Sequence, residues 1–190
     1  RSLMDLSLWQ TMLLPVILVF LFWRKLEGVS SNMIIMATLL FLNGLILYIP
    51  QFLPSSNKDC RSLSRVEGLL MGLGGSLFAI PGLSGMGAAL SVASVTGVDR
   101  KYGLNMILLM QMGVMAGKVI YDVLDLISTG LDGLSVMTLV IYVLSAAVSF
   151  LGAFLAVKIL RYLAENKGFA SFAYYSWGLA LFTFVLSLMA

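Results

Sequence analysis

Long apolar runs separated by short polar joints pattern the whole chain. The first run covers about residues 8–23, carries Pro15 inside it and ends at Arg24 and Lys25. The second covers residues 33–49 and leads into a polar joint, PQFLPSSNKDCRSLSR, where Lys58, Arg61 and Arg65 stand against Asp59. A third run starts near Val66, breaks at Pro81-Gly82, resumes as MGAALSVASVTG and stops at VDRKYG. The fourth covers residues 104–127 and holds Lys118, Asp122 and Asp125 in its second half. Residues 133–157 form a fifth run of 25 positions without a charge, and residues 169–189 a sixth. Between those two, KILRYLAENKG reads as an amphipathic joint. About 20 apolar residues cross ~30 Å of hydrocarbon as a helix. The pattern therefore predicts an all-α, polytopic integral membrane protein with about six membrane segments.

The third run departs from that pattern. Its halves, residues 66–80 and 83–98, hold 15 and 16 positions, and neither is long enough to cross. Pro81 removes a backbone donor and disfavours helix at Ile80. Gly82, Gly85 and Gly87 permit sharp turns and close backbone approach. Non-helical backbone at membrane depth costs several kcal/mol per unpaired group unless protein or a wet cavity surrounds it. The expectation is a re-entrant helical hairpin with its loop near residues 79–90. A half-helix starting near Ser84 would then present amides to an anion. The competing reading is a kinked spanning helix whose glycines serve packing.

Composition agrees with the membrane and narrows the chemistry. Hydrophobic residues make up 60% and charged residues 11%, against about 25% charged in soluble domains. Twelve basic and nine acidic residues leave a net charge of +3, scattered over the joints. That excess suits anionic headgroups and contains no basic run for nucleic acid. The chain has no His, which excludes imidazole chemistry of its own. Cys60 is the single cysteine and forms no internal disulfide. The apolar start imitates a signal peptide, but no small-x-small cleavage site follows it. Charge counting leaves a puzzle, since the joints after the first and second runs are both basic. Either one segment fails to cross, or residues are absent near 28–31.

The stretch GLLMGLGGSLFAIPGLSGMGAALSVASVTGVDRKYGLNMILLMQMGVMAGKVIYDVLDL resembles the second half of the undecaprenyl-diphosphate phosphatase family. That family carries a segment of the type GLAQALALIPGxSRSGxT before a short helix, a joint and a long helix. The ending AVKILRYLAENKGFASFAYYSWGLALFTFVLSL is similar to the family's last two segments, and LLPVILVFLFWRKLEG to the helix ending its first loop region. The resemblance covers about 150 residues by this pattern reading. It implies two inverted repeats, each with a re-entrant loop, and removal of one phosphate from the C55 isoprenoid diphosphate of cell-wall synthesis. It implies a multi-pass protein of the bacterial plasma (inner) membrane. On that reading residues 1–190 are one membrane domain, with 1–57 a remnant of first-repeat helices and 58–190 a second-repeat-like unit. The implied partners are membrane lipids and polyprenyl (di)phosphate, and a homodimer or a membrane-protein partner is compatible with it. A divalent cation is compatible by the same analogy, although the chain shows no metal ligand set; no other cofactor is expected.

The departures bear on catalysis. Pro81, Gly82 and Ser84 match their family positions, but the family's Arg falls on Gly85, its second Ser on Met86 and its Thr on Ala89. A missing transition-state donor costs about 10²–10³ in rate. QFLPSS echoes the first-repeat motif, with Gln51 in place of Glu and no His after it, and is read as chance. Hydrolysis therefore stands beside a second expectation, a degenerate member that binds or flips the lipid phosphate or serves partner proteins. Ser84 is the candidate catalytic residue, as a donor to a phosphate oxygen or else only a cap on the following half-helix. Pro81, Gly82, Ser84, Gly85 and Gly87 are the candidate substrate-binding positions. Lys118 joins them as a stand-in for the missing Arg, against the reading that it pairs with Asp122 and snorkels. Met106, Met110, Met112 and Met115 read as adaptable packing or a lipid-tail groove rather than a metal box. Trp9, Trp23 and Trp177 read as interfacial anchors.

Overall fold

The computed structural model describes residues 6–20, 32–53, 58, 62–129, 135–165 and 170–189. Their order is α1 (Leu6–Phe20), α2 (Met33–Tyr48), α3 (Arg65–Ser76), α4 (Gly85–Val95), α5 (Arg100–Thr129), α6 (Val136–Glu165) and α7 (Ala170–Met189). Short 3-10 turns extend α2 at Ile49–Gln51 and α3 at Leu77–Ala79. Polar side chains set several of the starts. Asn32 accepts from the amides of Ile34 and Ile35. Ser64 and Glu67 form a reciprocal capping box on α3. Asp99 accepts from Tyr102 at 2.8 Å, and Ser135 from Thr138 at 3.2 Å. Such caps contribute about 1 kcal/mol each.

Four stretches have the length and hydropathy of spans: Met33–Gln51, Arg100–Ser128, Val136–Leu163 and Ala170–Met189. The remaining helices are shorter. At 1.5 Å per residue α3 and α4 are about 18 and 16 Å long, well short of ~30 Å of hydrocarbon. They pack antiparallel, with Gly74 against the backbone of Ala88 and Ala89. Thus the chain enters and returns at Pro81-Gly82, as the broken run predicts. The expected joint at residues 158–168 is shorter than its sequence implies, because α6 stays helical through Glu165. Its charges decorate a helix long enough, at about 45 Å, to project beyond the bilayer.

α1 runs parallel to α3, with Leu8 beside Gly68 and Val16 beside Gly75. Met12, Met71, Leu104, Met106, Ile107 and Met110 are wholly buried where α1, α3, α4 and α5 meet. α2 and α7 make the most extensive helix pair, so residues before and after position 57 share one packed body. Two of the four methionines singled out in the sequence, Met106 and Met110, fill the core; Met112 and Met115 are exposed. The two described tryptophans pack on neighbouring helices. Trp9 packs against the core beside Gly113. Trp177 lies over Gly44 and donates to the Phe41 carbonyl at 3.2 Å, roughly 14 Å along α2 from Pro50. Trp23 and residues 28–31 lie outside the described residues.

One end of the assembly gathers the polar joints. Lys58 pairs with Val98 in an isolated parallel bridge, and its carbonyl accepts from Asp99 at 2.9 Å. The Lys58 ammonium reaches Glu67 at the start of α3 and the Thr96 carbonyl at the end of α4. Arg100 donates to the carbonyls of Pro50 and Leu53 at 2.9 and 3.2 Å. Both ends of the α3–α4 hairpin therefore share one level with the end of α2 and the start of α5. We call this level the base.

Candidate functional site: a turn and cavity inside the helical assembly

The hairpin tip is a tight turn written into the sequence. Leu83 N–H donates to the Ile80 carbonyl at 3.1 Å, with Pro81 and Gly82 at the two central positions. Gly82 has φ +91°, so the turn is of type II, which favours proline first and glycine second. The tip rests on α2, where a Cβ on Gly82 would stand 3.1 Å from both Leu39 Cβ and Met36 Sδ. That contact lies roughly 18 Å along α2 from Pro50, past the middle of a hydrocarbon layer measured from the base.

Ser84 follows the turn and caps α4, its Oγ accepting from Gly87 N–H at 3.1 Å. Its own N–H donates to Asn43 Oδ1 at 2.7 Å. Asn43 Nδ2 donates to Ser176 Oγ at 3.0 Å, and Ser176 Oγ donates to the Leu40 carbonyl at 2.7 Å. The Ser84 N–H and Gly87 N–H are thereby satisfied. Among the described residues nothing accepts from the amides of Gly85 and Met86. They are the free donors of the α4 N-terminus, where the helix dipole is positive.

Beside this start lies a cavity of about 250 Å³. Asn43, Ser84 and Ser176 give it a polar edge, and Leu47, Met86, Leu90 and Phe172 are among its apolar walls. The combination suits a molecule with a polar head and a hydrocarbon body. The described lining contains no charged side chain. A divalent cation does not fit these residues, since among the described ones no three of His, Cys, Asp and Glu stand together.

The sequence-predicted positions divide here. Ser84 and Gly87 line the cavity, whereas Pro81 and Gly82 shape the turn above it. Gly85 is buried between the hairpin arms, and a Cβ there would strike the Gly75 carbonyl and stand 2.8 Å from Phe78 Cβ. No side chain, and so no Arg, fits that position while the arms stay closed. Lys118 does not reach the site. It pairs with Asp122 at 3.1 Å on an exposed face, about 27 Å along α5 from Arg100. Sequence reasoning missed Asn43 and Ser176. The available signal was a lone amide in LLFLNGLILY and the one serine in YYSWG, since polar groups in apolar helices usually find each other.

A polytopic helical membrane protein, then, with a broken hairpin ending at a polar-edged cavity, is the class that fold and site define. The chain belongs to the family described as Bacitracin resistance protein BacA, which it matches over residues 3–182. It is similar to the undecaprenyl-diphosphatase of Halothermothrix orenii, 26% identical over 185 residues, which are 94% of this chain and 70% of that protein. The undecaprenyl-diphosphatase of Methanobrevibacter smithii is 29% identical over 177 residues, 92% of this chain and 62% of the relative. That of Alkaliphilus metalliredigens is 21% identical over 177 residues, 93% of this chain and 63% of the relative. The chain thus spans between 62% and 70% of the length of these three relatives.

Proposed function

We propose that this protein handles a polyprenyl diphosphate in the membrane, with undecaprenyl diphosphate as substrate and removal of its terminal phosphate as the reaction. The observation that carries the reading is the start of α4. Two amides with no acceptor among the described residues, a positive helix end and the Ser84 hydroxyl stand at membrane depth beside an apolar cavity. A phosphate oxygen takes the donors, and the first isoprene units lie along the leucine walls. Hydrolysis breaks the bond between the terminal phosphorus and the bridging oxygen, and water supplies the new oxygen. Negative charge grows on the leaving phosphate, so amide donors preset at that place lower the barrier. The described lining adds no cation to them.

The bacterial plasma membrane is the location that goes with this substrate. Residues 58–190 are read as the repeat unit that holds the loop, with residues 1–57 the remainder of another. A second copy or a membrane-protein partner remains part of the same reading only if it co-purifies with activity. The test is release of inorganic phosphate from undecaprenyl diphosphate by the purified protein in liposomes. Release above that of empty liposomes is expected. Saturable lipid binding without release would keep the lipid and remove the hydrolysis. Neither binding nor release would overturn the proposal.

A further inference from the structure

The buried polar groups at the cavity edge form one directed chain. It runs from Ser84 N–H to Asn43 Oδ1, from Asn43 Nδ2 to Ser176 Oγ, and from Ser176 Oγ to the Leu40 carbonyl. Asn43 is 7% exposed and Ser176 3%, so little water can compete for these bonds. The middle position must accept on one side and donate on the other, which a primary amide does in a single fixed orientation. An ionised carboxylate can accept at both places but donate at neither. Successive bonds in a low-dielectric interior polarise one another.

We infer that Asn43 is a positioning residue of the phosphate site. It ties the backbone at the start of α4 to α2 and so fixes where the Gly85 and Met86 amides stand. It does this without placing a charge beside an anion. Further along, α4 has a separate tie to α2, because Ser91 Oγ donates to the Ile46 carbonyl at 2.6 Å. Loss of Asn43 therefore frees the N-terminal turn and leaves the body of α4 docked. The functional half of this inference rests on the lipid-diphosphate reading; the structural half does not.

The experiment uses the whole protein in nanodiscs, with undecaprenyl diphosphate as the probe. Hydrogen exchange of residues 84–88 and lipid binding are followed in wild type, Asn43→Leu and Asn43→Asp. Asn43→Leu should raise exchange at the hydrogen-bonded amides among them, those of Ser84, Gly87 and Ala88, by about tenfold, with α7 and the hairpin base unchanged. Asn43→Asp has a sharper signature, because a protonated carboxylic acid repeats the accept-and-donate pattern of the amide. Its affinity relative to wild type should fall by at least about tenfold between about pH 5 and about pH 9, as the acid ionises beside the bound anion. Taking the ratio removes the titration of the lipid itself. Unchanged exchange in Asn43→Leu would show that Asn43 does not hold the turn and overturn the inference. So would an Asn43→Asp protein that tracks wild type at every pH. Should Asn43→Leu not fold, Ser176→Ala removes the acceptor of the Asn43 amide, together with that hydroxyl's own bond to the Leu40 carbonyl, and carries the same exchange test. If wild type binds no lipid diphosphate, the functional half falls with the reading above. Exchange alone then decides whether Asn43 holds the turn.

Discussion

Lys58 Nζ lies 2.8 Å from Glu67 Oε1, and the same ammonium donates to the Thr96 carbonyl at 3.0 Å. One cation thus closes the base of the α3–α4 hairpin, joining the start of one arm to the end of the other. Lys58 is 43% exposed at its side chain and Glu67 17%, so the pair is only partly screened. The Glu67 carboxyl is held below its ordinary range, first by the Lys58 ammonium and then by the Ser64 N–H. A depressed carboxylate stabilises the fold above its unfolded pKa, and that share is lost as pH falls through the folded value. The window therefore lies below about pH 4.3. Glu67→Gln should cost about 1 kcal/mol or less at neutral pH. It should also flatten the acid limb of thermal melts or of hydrogen exchange at the hairpin base. An acid limb identical to wild type would show that this pair does not govern the base.

Gly85 sets a second expectation because its missing side chain is what lets the hairpin close. Gly85→Ala pushes a Cβ against the Gly75 carbonyl and Phe78, neither of which is the free end of a flexible chain. The expected loss is about 1–3 kcal/mol, read as a lower melting temperature in detergent. Gly85→Arg should lose more and gain no activity over wild type, since the guanidinium has no path out of the closed arms. Gly117 is the contrast, with open space at its Cβ position on α5. Gly117→Ala should be neutral or stabilise by up to about 1 kcal/mol. A stable, active Gly85→Arg protein would mean that the arms open more readily than their packing implies.

What the sequence made legible was local chemistry. The Pro81-Gly82 pair dictates a turn through the fixed φ of one residue and the positive φ of the other, and the turn is there. Ser84 as a cap, the Lys118–Asp122 pair four residues apart and the short halves of the broken run follow from spacing alone. Long-range pairing did not show. Asn43 and Ser176 are 133 positions apart, and nothing near either one names its partner. Gly85 looked like a lost Arg, yet it is also a packing requirement imposed by Gly75 and Phe78 from the other arm. The last turns of α6 read as a joint in the sequence because charge marks the end of the hydrocarbon, not the end of a helix.

Ser84 carries two roles that one pair of substitutions can separate. Its Oγ accepts from Gly87 N–H, and its hydroxyl hydrogen remains available to a ligand in the cavity. Ser84→Ala removes both and should cost about 1 kcal/mol of stability as a lost cap. Ser84→Gly costs only a few tenths, because glycine is itself a tolerated cap. If the hydroxyl meets a phosphate oxygen, both variants weaken binding of undecaprenyl diphosphate by a similar factor, about tenfold for a hydrogen bond to a charged group. If it serves only as a cap, binding follows stability, and Ser84→Gly stays near wild type.

The base also predicts which way the protein faces. Lys58, Arg65, Arg100, Lys101, Lys158 and Arg161 all belong to helix ends or joints at the base, against Glu67, Asp99 and Glu165. Near the opposite end of α5, Lys118 stands with Asp122 and Asp125. The re-entrant hairpin produces this asymmetry. Because it returns without crossing, the joints before α3 and after α4 lie on one side, and their basic residues add rather than alternate. The positive-inside rule then puts the base in the cytoplasm and the end of α5 outside. Two single-cysteine proteins test this in a Cys60→Ser background, Ser62→Cys at the base and Ser128→Cys at the end of α5; both native serines are exposed. A membrane-impermeant maleimide should label Ser128→Cys in intact cells and Ser62→Cys only after the membrane is opened. Labelling of both in intact cells would mean that the α5 helix does not cross. The reverse pattern would turn the molecule over and bring the turn at Pro81-Gly82, measured from the base, nearer the inner leaflet than the outer.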